Sequence, residues 1–202
     1  MPPRSPKKQG TREKLLHAAA RCFARKGYAA CTVADIAAEA GLGQGSLYVH
    51  FKNKEALFLE MIAHEHAQGA DKARDAMKDA PSIQGVIRIL DSCVRDVGFP
   101  VDHALWTEIL AVAARDAAVR EAFQASDRQM REALVDLLRA AAGRGDVDPN
   151  LDLEAVSIWL YSLVDGLIAR KAIEEDFDME RHCELFAELV CRALKAPPKQ
   201  EA

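Results

Sequence analysis

The chain has 202 residues, half of them hydrophobic and 29% charged, with a formal net charge of -4. That apolar fraction excludes a disordered chain, and a compact fold of this length buries roughly 70% of the surface its unfolded form exposes, enough to stand without staples. The five cysteines, Cys22, Cys31, Cys93, Cys183 and Cys191, include no Cys-x-x-Cys pair, which argues against a disulfide framework and a structural zinc site. Reduced thiols, and with them the cytoplasm, are the simplest reading.

Met1 to Thr11 is polar and proline-dotted, unlike a secretory signal, and no run approaches the length of a membrane span. Ala, Leu, Arg and Glu dominate the interior, and β-branched and aromatic residues never cluster in strand-like alternation. An all-α fold follows.

Leu15, Ala19, Cys22 and Phe23 mark one buried helix face, placing a first helix at Thr11 to Lys26 with Gly27 to end it. Thr32 opens a second helix, and Asp35 three residues on completes a capping pattern. Gly41 stops that helix by accepting a left-handed backbone, and Leu42 tucks inward. A short third helix covers Gln44 to His50, with Leu47 and Phe51 facing in. Longer helices are expected over Lys54 to Asp79, Ser82 to Val97, Val101 to Ala114, Ala117 to Ala142, Leu153 to Ile173 and Met179 to Leu194, punctuated by Pro81, Pro100, the stretch Gly143 to Pro149 and the acidic run Glu174 to Asp178.

Charge is divided unevenly along this series. Residues 1–54 hold ten Lys/Arg against three Asp/Glu, a charge of +7, while residues 55–202 carry -11. A basic head on an acidic body suits a head that alone meets a polyanion; the alternative is a solvated basic face. Two short helices joined by a turn at Gly41, braced by a preceding helix and carrying this charge, make a helix-turn-helix pattern over about residues 32–51.

These residues resemble the tetracycline-repressor (TetR) family of bacterial transcription regulators. The likeness spans about Thr11 to Glu60: Thr32-Val-Ala-Asp-Ile-Ala-Ala-Glu-Ala-Gly41, then Gly45-Ser-Leu-Tyr-Val-His-Phe51, then Lys52-Asn-Lys-Glu-Ala-Leu57. It implies that Thr32, Tyr48, His50 and Lys54 touch phosphates of double-stranded DNA and that Gln44, Gly45, Ser46 and Val49 face base edges. Gly43 departs from the pattern, standing where many relatives place a serine or threonine cap.

The resemblance divides the chain into a tail (1–10), a DNA-binding domain (11–57), an effector-binding and dimerisation domain (58–196) and a second tail (197–202). It implies a homodimer on a palindromic operator, released when a small-molecule effector swings the long helix that begins at Lys54. Val156, Trp159, Leu160, Leu163, Gly166, Leu167, Phe186, Leu189 and Val190 form the expected dimer face, with internal core as the alternative. Phe99, His103, Trp106, Leu110, Phe123, Met130, Tyr161 and Asp165 are the expected effector wall, with ordinary packing as the alternative for each.

Other chemistry is weaker. The histidines of His64-Glu-His66 are two apart, point to different sides of a helix and read as surface residues. Gly41-x-Gly-x-Gly45 lacks the dinucleotide spacing and a preceding strand. No catalytic residue, metal or cofactor is expected. The rivals to a repressor are an activator or dual regulator, an effector-binding helical protein that docks a protein partner through its basic head, and a helical hydrolase dependent on His64 or His103.

Overall fold

A computed structural model of the chain describes residues 6–78, 82–95, 97 and 101–195, with side chains from residue 10 onward. Among them are nine α-helices and no strand: α1 (Pro6–Lys26), α2 (Val33–Glu39), α3 (Gln44–His50), α4 (Lys54–Lys78), α5 (Ile83–Arg95), α6 (His103–Arg115), α7 (Ala117–Gly143), α8 (Leu153–Ile173) and α9 (Met179–Leu194). Helix α1 starts at Pro6 rather than Thr11, because proline is pre-set for a first helical position. Helix α6 starts at His103 rather than Val101, because the Asp102 carboxylate caps it by accepting from the Leu105 N–H at 2.7 Å. None of the described helices is long and apolar enough to cross a membrane.

The chain groups into two compact units, Met1–Glu65 with Gly98–Phe123 and His66–Val97 with Gln124–Ala202. In the first, α1 packs on α2 and α6, and α2 on α3. The expected inner face of α1 is buried, joined by Ile36 from α2, Leu47 from α3, and Leu57 and Phe58 from α4. Phe23 and Phe58 meet edge to face at 5.3 Å between ring centres, a geometry worth about 0.5–1.5 kcal/mol beyond the area buried.

In the second unit, α5 packs on α8 and α9. Val86, Leu90 and Val94 of α5, Leu160, Val164 and Ile168 of α8, and Phe186, Val190 and Leu194 of α9 are among its buried side chains. Helix α8 is apolar on its other side too: Ile158 and Trp159 are exposed, as are Leu185 and Leu189 of α9. A helix apolar all round needs cover on more than one side.

His66 is not a surface residue, as its spacing from His64 suggested. It lies on the buried side of α4, 1% exposed, with Nδ1 2.6 Å from Ser126 Oγ on α7, whereas His64 is exposed. Burial lowers its pKa from 6.5 to about 4, against a smaller opposing pull from Asp127. The unfolded chain therefore binds the proton more tightly than the native one. Stability should be level above the unfolded value and fall as pH drops from 6.5 towards 4, by up to about 3 kcal/mol. Urea unfolding at about pH 7.5 and about pH 5 measures this, and His66→Gln should flatten that part of the slope.

Candidate nucleic-acid interface

The first unit presents α3 through two local devices. At the start of α2, Thr32 Oγ1 accepts from the Asp35 N–H at 3.1 Å while the Thr32 N–H donates to Asp35 Oδ2 at 2.9 Å, a reciprocal capping box. At its end, Gly41 adopts φ +67, its N–H bonds the Ala38 carbonyl and the Leu42 N–H bonds the Ala37 carbonyl. That pairing is a Schellman motif, and its left-handed residue is why glycine stands there. The chain then turns at once into α3.

Helix α3 is divided cleanly by burial. Leu47 and Phe51 are inside, while Tyr48 is 59% and Val49 68% exposed. Gln44 and Gly45 are also exposed, and Ser46 and His50 half-buried. A Cβ added at Gly45 would meet nothing within 4 Å, so protein packing leaves that face open. Gly43 starts the helix with no side-chain cap. A donor-bearing amide, a small hydroxyl, an aromatic and an aliphatic side chain thus share one accessible surface, the mixture that reads base edges and thymine methyls in a major groove.

Two of the four implied phosphate donors are committed elsewhere. The Thr32 hydroxyl lies 2.8 Å from Asp35 Oδ2 and donates to it. Lys54 Nζ donates to the carbonyls of Tyr28 at 2.7 Å, Cys31 at 2.8 Å and Ala29 at 3.4 Å, and sits 4.4 Å from the centre of the Tyr28 ring. These carbonyls lie in the connection from α1 to α2, where no helix ladder reaches them. Both residues are positioning elements here: Thr32 caps α2, and Lys54 ties the start of α4 to the loop that feeds it. Tyr48 and His50 remain on the exposed side and edge of α3.

The basic character of the head is also partly internal. Arg21 and Arg25 bind Glu39 at 2.7 and 3.0 Å, Lys26 binds Asp35 at 2.7 Å, and Arg12 pairs with Glu60 and lies over the Phe51 ring. The Lys26 ammonium and then the Thr32 N–H hold the Asp35 carboxyl well below the usual carboxylate range. Among the described residues Lys14 and Lys52 are exposed cations outside these pairs.

The expected effector wall is distributed between the two units. His103, Trp106, Leu110 and Phe123 belong to the first, where Trp106 is buried with its ring centre 6.0 Å from that of Phe123. Met130, Tyr161 and Asp165 belong to the second, the first two buried and Asp165 half-buried. Phe99 lies outside the described residues. His66 and Ser126 join the polar side chains of the second unit, and no sequence pattern announced them.

The expected dimer face is largely one open groove on α8 and α9. Trp159, Leu163, Gly166, Leu167, Phe186, Leu189 and Val190 line it, with Ser162, His182 and Leu185 as further members. Leu160, expected on this face, is instead fully buried inside its own unit, because consecutive residues of a helix point in different directions and it is Trp159 that is exposed. Val156 is half-buried and outside the groove. Among the described residues no cluster of His, Cys, Asp or Glu is grouped to hold a metal ion.

A capped helix, a Schellman turn and a short exposed helix on a three-helix scaffold define a helix-turn-helix protein of the transcription-regulator class. Residues 15–61 match the profile described as bacterial regulatory proteins, tetR family, and residues 83–195 that of the BetI-type transcriptional repressor C-terminal domain. The chain belongs to the TetR family of transcriptional regulators. It is 27% identical over 184 residues to the transcriptional repressor AcnR of Corynebacterium diphtheriae, covering 89% of this chain and 90% of AcnR. It is also 27% identical over 174 residues to the regulator TtgR of Pseudomonas putida, covering 80% of each. The fold is similar to that of GusR from Salmonella enterica, with TM-score 0.76, 21% identity and coverage of 91% and 93%. It is equally similar to FadR from Bacillus subtilis, solved in complex with stearoyl-CoA, with TM-score 0.76, 18% identity and coverage of 90% and 98%.

Lys54→Met should lower the unfolding free energy by about 1–3 kcal/mol, because it leaves three loop carbonyls without their charged donor. Tyr48→Ala, on an exposed side chain, should stay within about 0.5 kcal/mol of the parent. Urea titrations of the two variants distinguish the clamp from the reading surface.

Proposed function

We propose that the protein is a ligand-responsive repressor that binds a palindromic operator as a homodimer. The observation that carries this is the exposed face of α3, where Tyr48 and Val49 project outward while Leu47 and Phe51 anchor the helix from behind. Gln44, Gly45, Ser46 and Val49 face base edges, and Gln44 has the amide geometry that reads adenine. Tyr48 and His50 contact phosphates, and Thr32 and Lys54 hold the motif in place. The BetI-type repressor profile over the larger part of the chain favours repression over activation.

The dimer rests on α8 and α9. The groove between them exposes Trp159, Leu185 and Leu189, apolar surface that an isolated subunit leaves in water. A second copy of the same two helices closes it as a four-helix, two-fold interface. Two recognition helices then meet half-sites about 34–36 Å apart. Stearoyl-CoA in the FadR structure supports a small-molecule effector for this architecture. Helix α4 is continuous through both units and begins at the Lys54 clamp, so a movement of α4 on effector binding alters the half-site spacing. A roughly 100-fold release needs about 2.7 kcal/mol of differential effector affinity.

Selection of bound fragments from random double-stranded DNA should return a shared inverted repeat. Gln44→Ala with Tyr48→Ala should weaken that complex by roughly 10-fold or more while sedimentation still reports a dimer. Leu189→Glu should give a folded monomer that has lost operator binding. Fragments with no shared repeat, or a complex unchanged by the double substitution, would sink this reading.

A further inference from the structure

The second unit carries a group of buried and half-buried polar side chains that the DNA contact does not use. His66 of α4 is buried against Ser126 of α7, with Nδ1 and Oγ 2.6 Å apart. One turn along α7, Arg131 binds Asp127 at 2.8 Å, so these two charges satisfy each other. Tyr161 of α8 is 8% exposed, and its hydroxyl has no hydrogen-bond partner among the described residues. Asp127 is the charged neighbour of both the imidazole and the phenol, which also has Asp165, Arg131 and Cys93 around it. Met130 is buried on the same helix as Asp127 and Arg131, with its sulfur against Gly69 of α4.

An unpaired buried hydroxyl costs about 1–3 kcal/mol, and phenylalanine fills the same space without that cost. The tyrosine there instead leaves a buried donor for a partner that arrives from outside. The chemistry of that partner follows from the surroundings. Burial holds the phenol protonated, its pKa pushed far above the ordinary value, so it donates. The imidazole is neutral at physiological pH, because burial lowers its pKa to about 4. Arg131 and Asp127 are occupied with each other, so neither a carboxylate nor an ammonium ion entering here finds an uncommitted counter-charge in that pair.

We propose that Tyr161 is the hydrogen-bond donor of a binding site in the second unit for an uncharged, largely apolar molecule bearing a carbonyl or ether oxygen. Tyr161 donates to that oxygen, the His66 and Ser126 pair offers a second polar contact, and Met130 packs on the apolar part. Its role as the effector rests on the repressor reading above; its binding does not.

Calorimetry on the full-length protein with methyl octyl ketone, decanoate and decyltrimethylammonium compares a neutral, an anionic and a cationic probe of similar length. The ketone should bind at least roughly 10-fold more tightly than either ion. Tyr161→Phe should leave the unfolding midpoint and operator binding unchanged or raised, yet weaken the ketone about 10-fold, or about 1.4 kcal/mol. Met130→Trp, which fills the apolar side, should abolish ketone binding. No ketone binding, equal binding by Tyr161→Phe, a tighter ion, or a marked loss of stability in Tyr161→Phe each overturns the site. Tyr161-dependent ketone binding that does not weaken the operator complex supports the site and overturns its effector role. Failure of the unliganded protein to bind any inverted repeat overturns the repressor reading alone.

Discussion

In the connection between α1 and α2, the Tyr28, Ala29 and Cys31 carbonyls are satisfied by the Lys54 ammonium from the first residue of α4. Two further contacts make this a defined joint rather than a loose tie. The Tyr28 ring lies under the same ammonium, and the Tyr28 N–H donates to Glu108 of α6 at 2.7 Å. Gly27, at φ +75, completes the exit from α1, with Glu108 close enough that an added Cβ would lie 3.3 Å from its carboxylate. The direction in which α2 leaves α1, and hence the attitude of α3, is therefore set by helices from later in the chain. A half-buried cation with several carbonyl partners holds direction better than a fully exposed ion pair, which water and salt weaken.

Downstream of that joint, the motif itself is held by interactions of short sequence range. The capping box spans four residues and the Schellman turn six, and both are complete. Their effect is to hold α3 rigid while its outward side chains contact nothing of the first unit that would bury them. The same unit uses much of its positive charge internally, in the Arg21, Arg25 and Lys26 pairs that bind α1 to α2. Positive charge in the head therefore serves assembly as well as attraction to phosphate, and its excess over residues 1–54 overstates the cations that meet DNA.

The second unit has a different character. Helix α8 buries Leu160, Val164 and Ile168 on one side and exposes Ile158 and Trp159 on the other, so its composition anticipates a surface that the subunit alone does not cover. Into the same unit are set a buried neutral histidine and an orphaned tyrosine hydroxyl, groups that an optimised core would replace with apolar atoms. As proposed above, this unit has two separate roles, a mating face outside and a polar recognition point inside.

Sequence alone determined what depends on near neighbours. Helical periodicity, the Thr32 and Asp35 cap, the glycine at position 41 and the inward pair Leu47 and Phe51 are all local rules, and α8 and α9 were placed residue for residue. Contacts between distant segments were beyond that reach. Spacing on α4 could not reveal that His66 turns inward against Ser126, 60 residues away, nor that Leu160 rather than Trp159 faces the core. Lys54 shows the difference most plainly. The family resemblance implied a phosphate donor there, but its ammonium donates to three carbonyls more than 20 residues earlier in the chain. Which groups a long side chain reaches depends on how helices pack, and that is settled by the whole core rather than by any one segment.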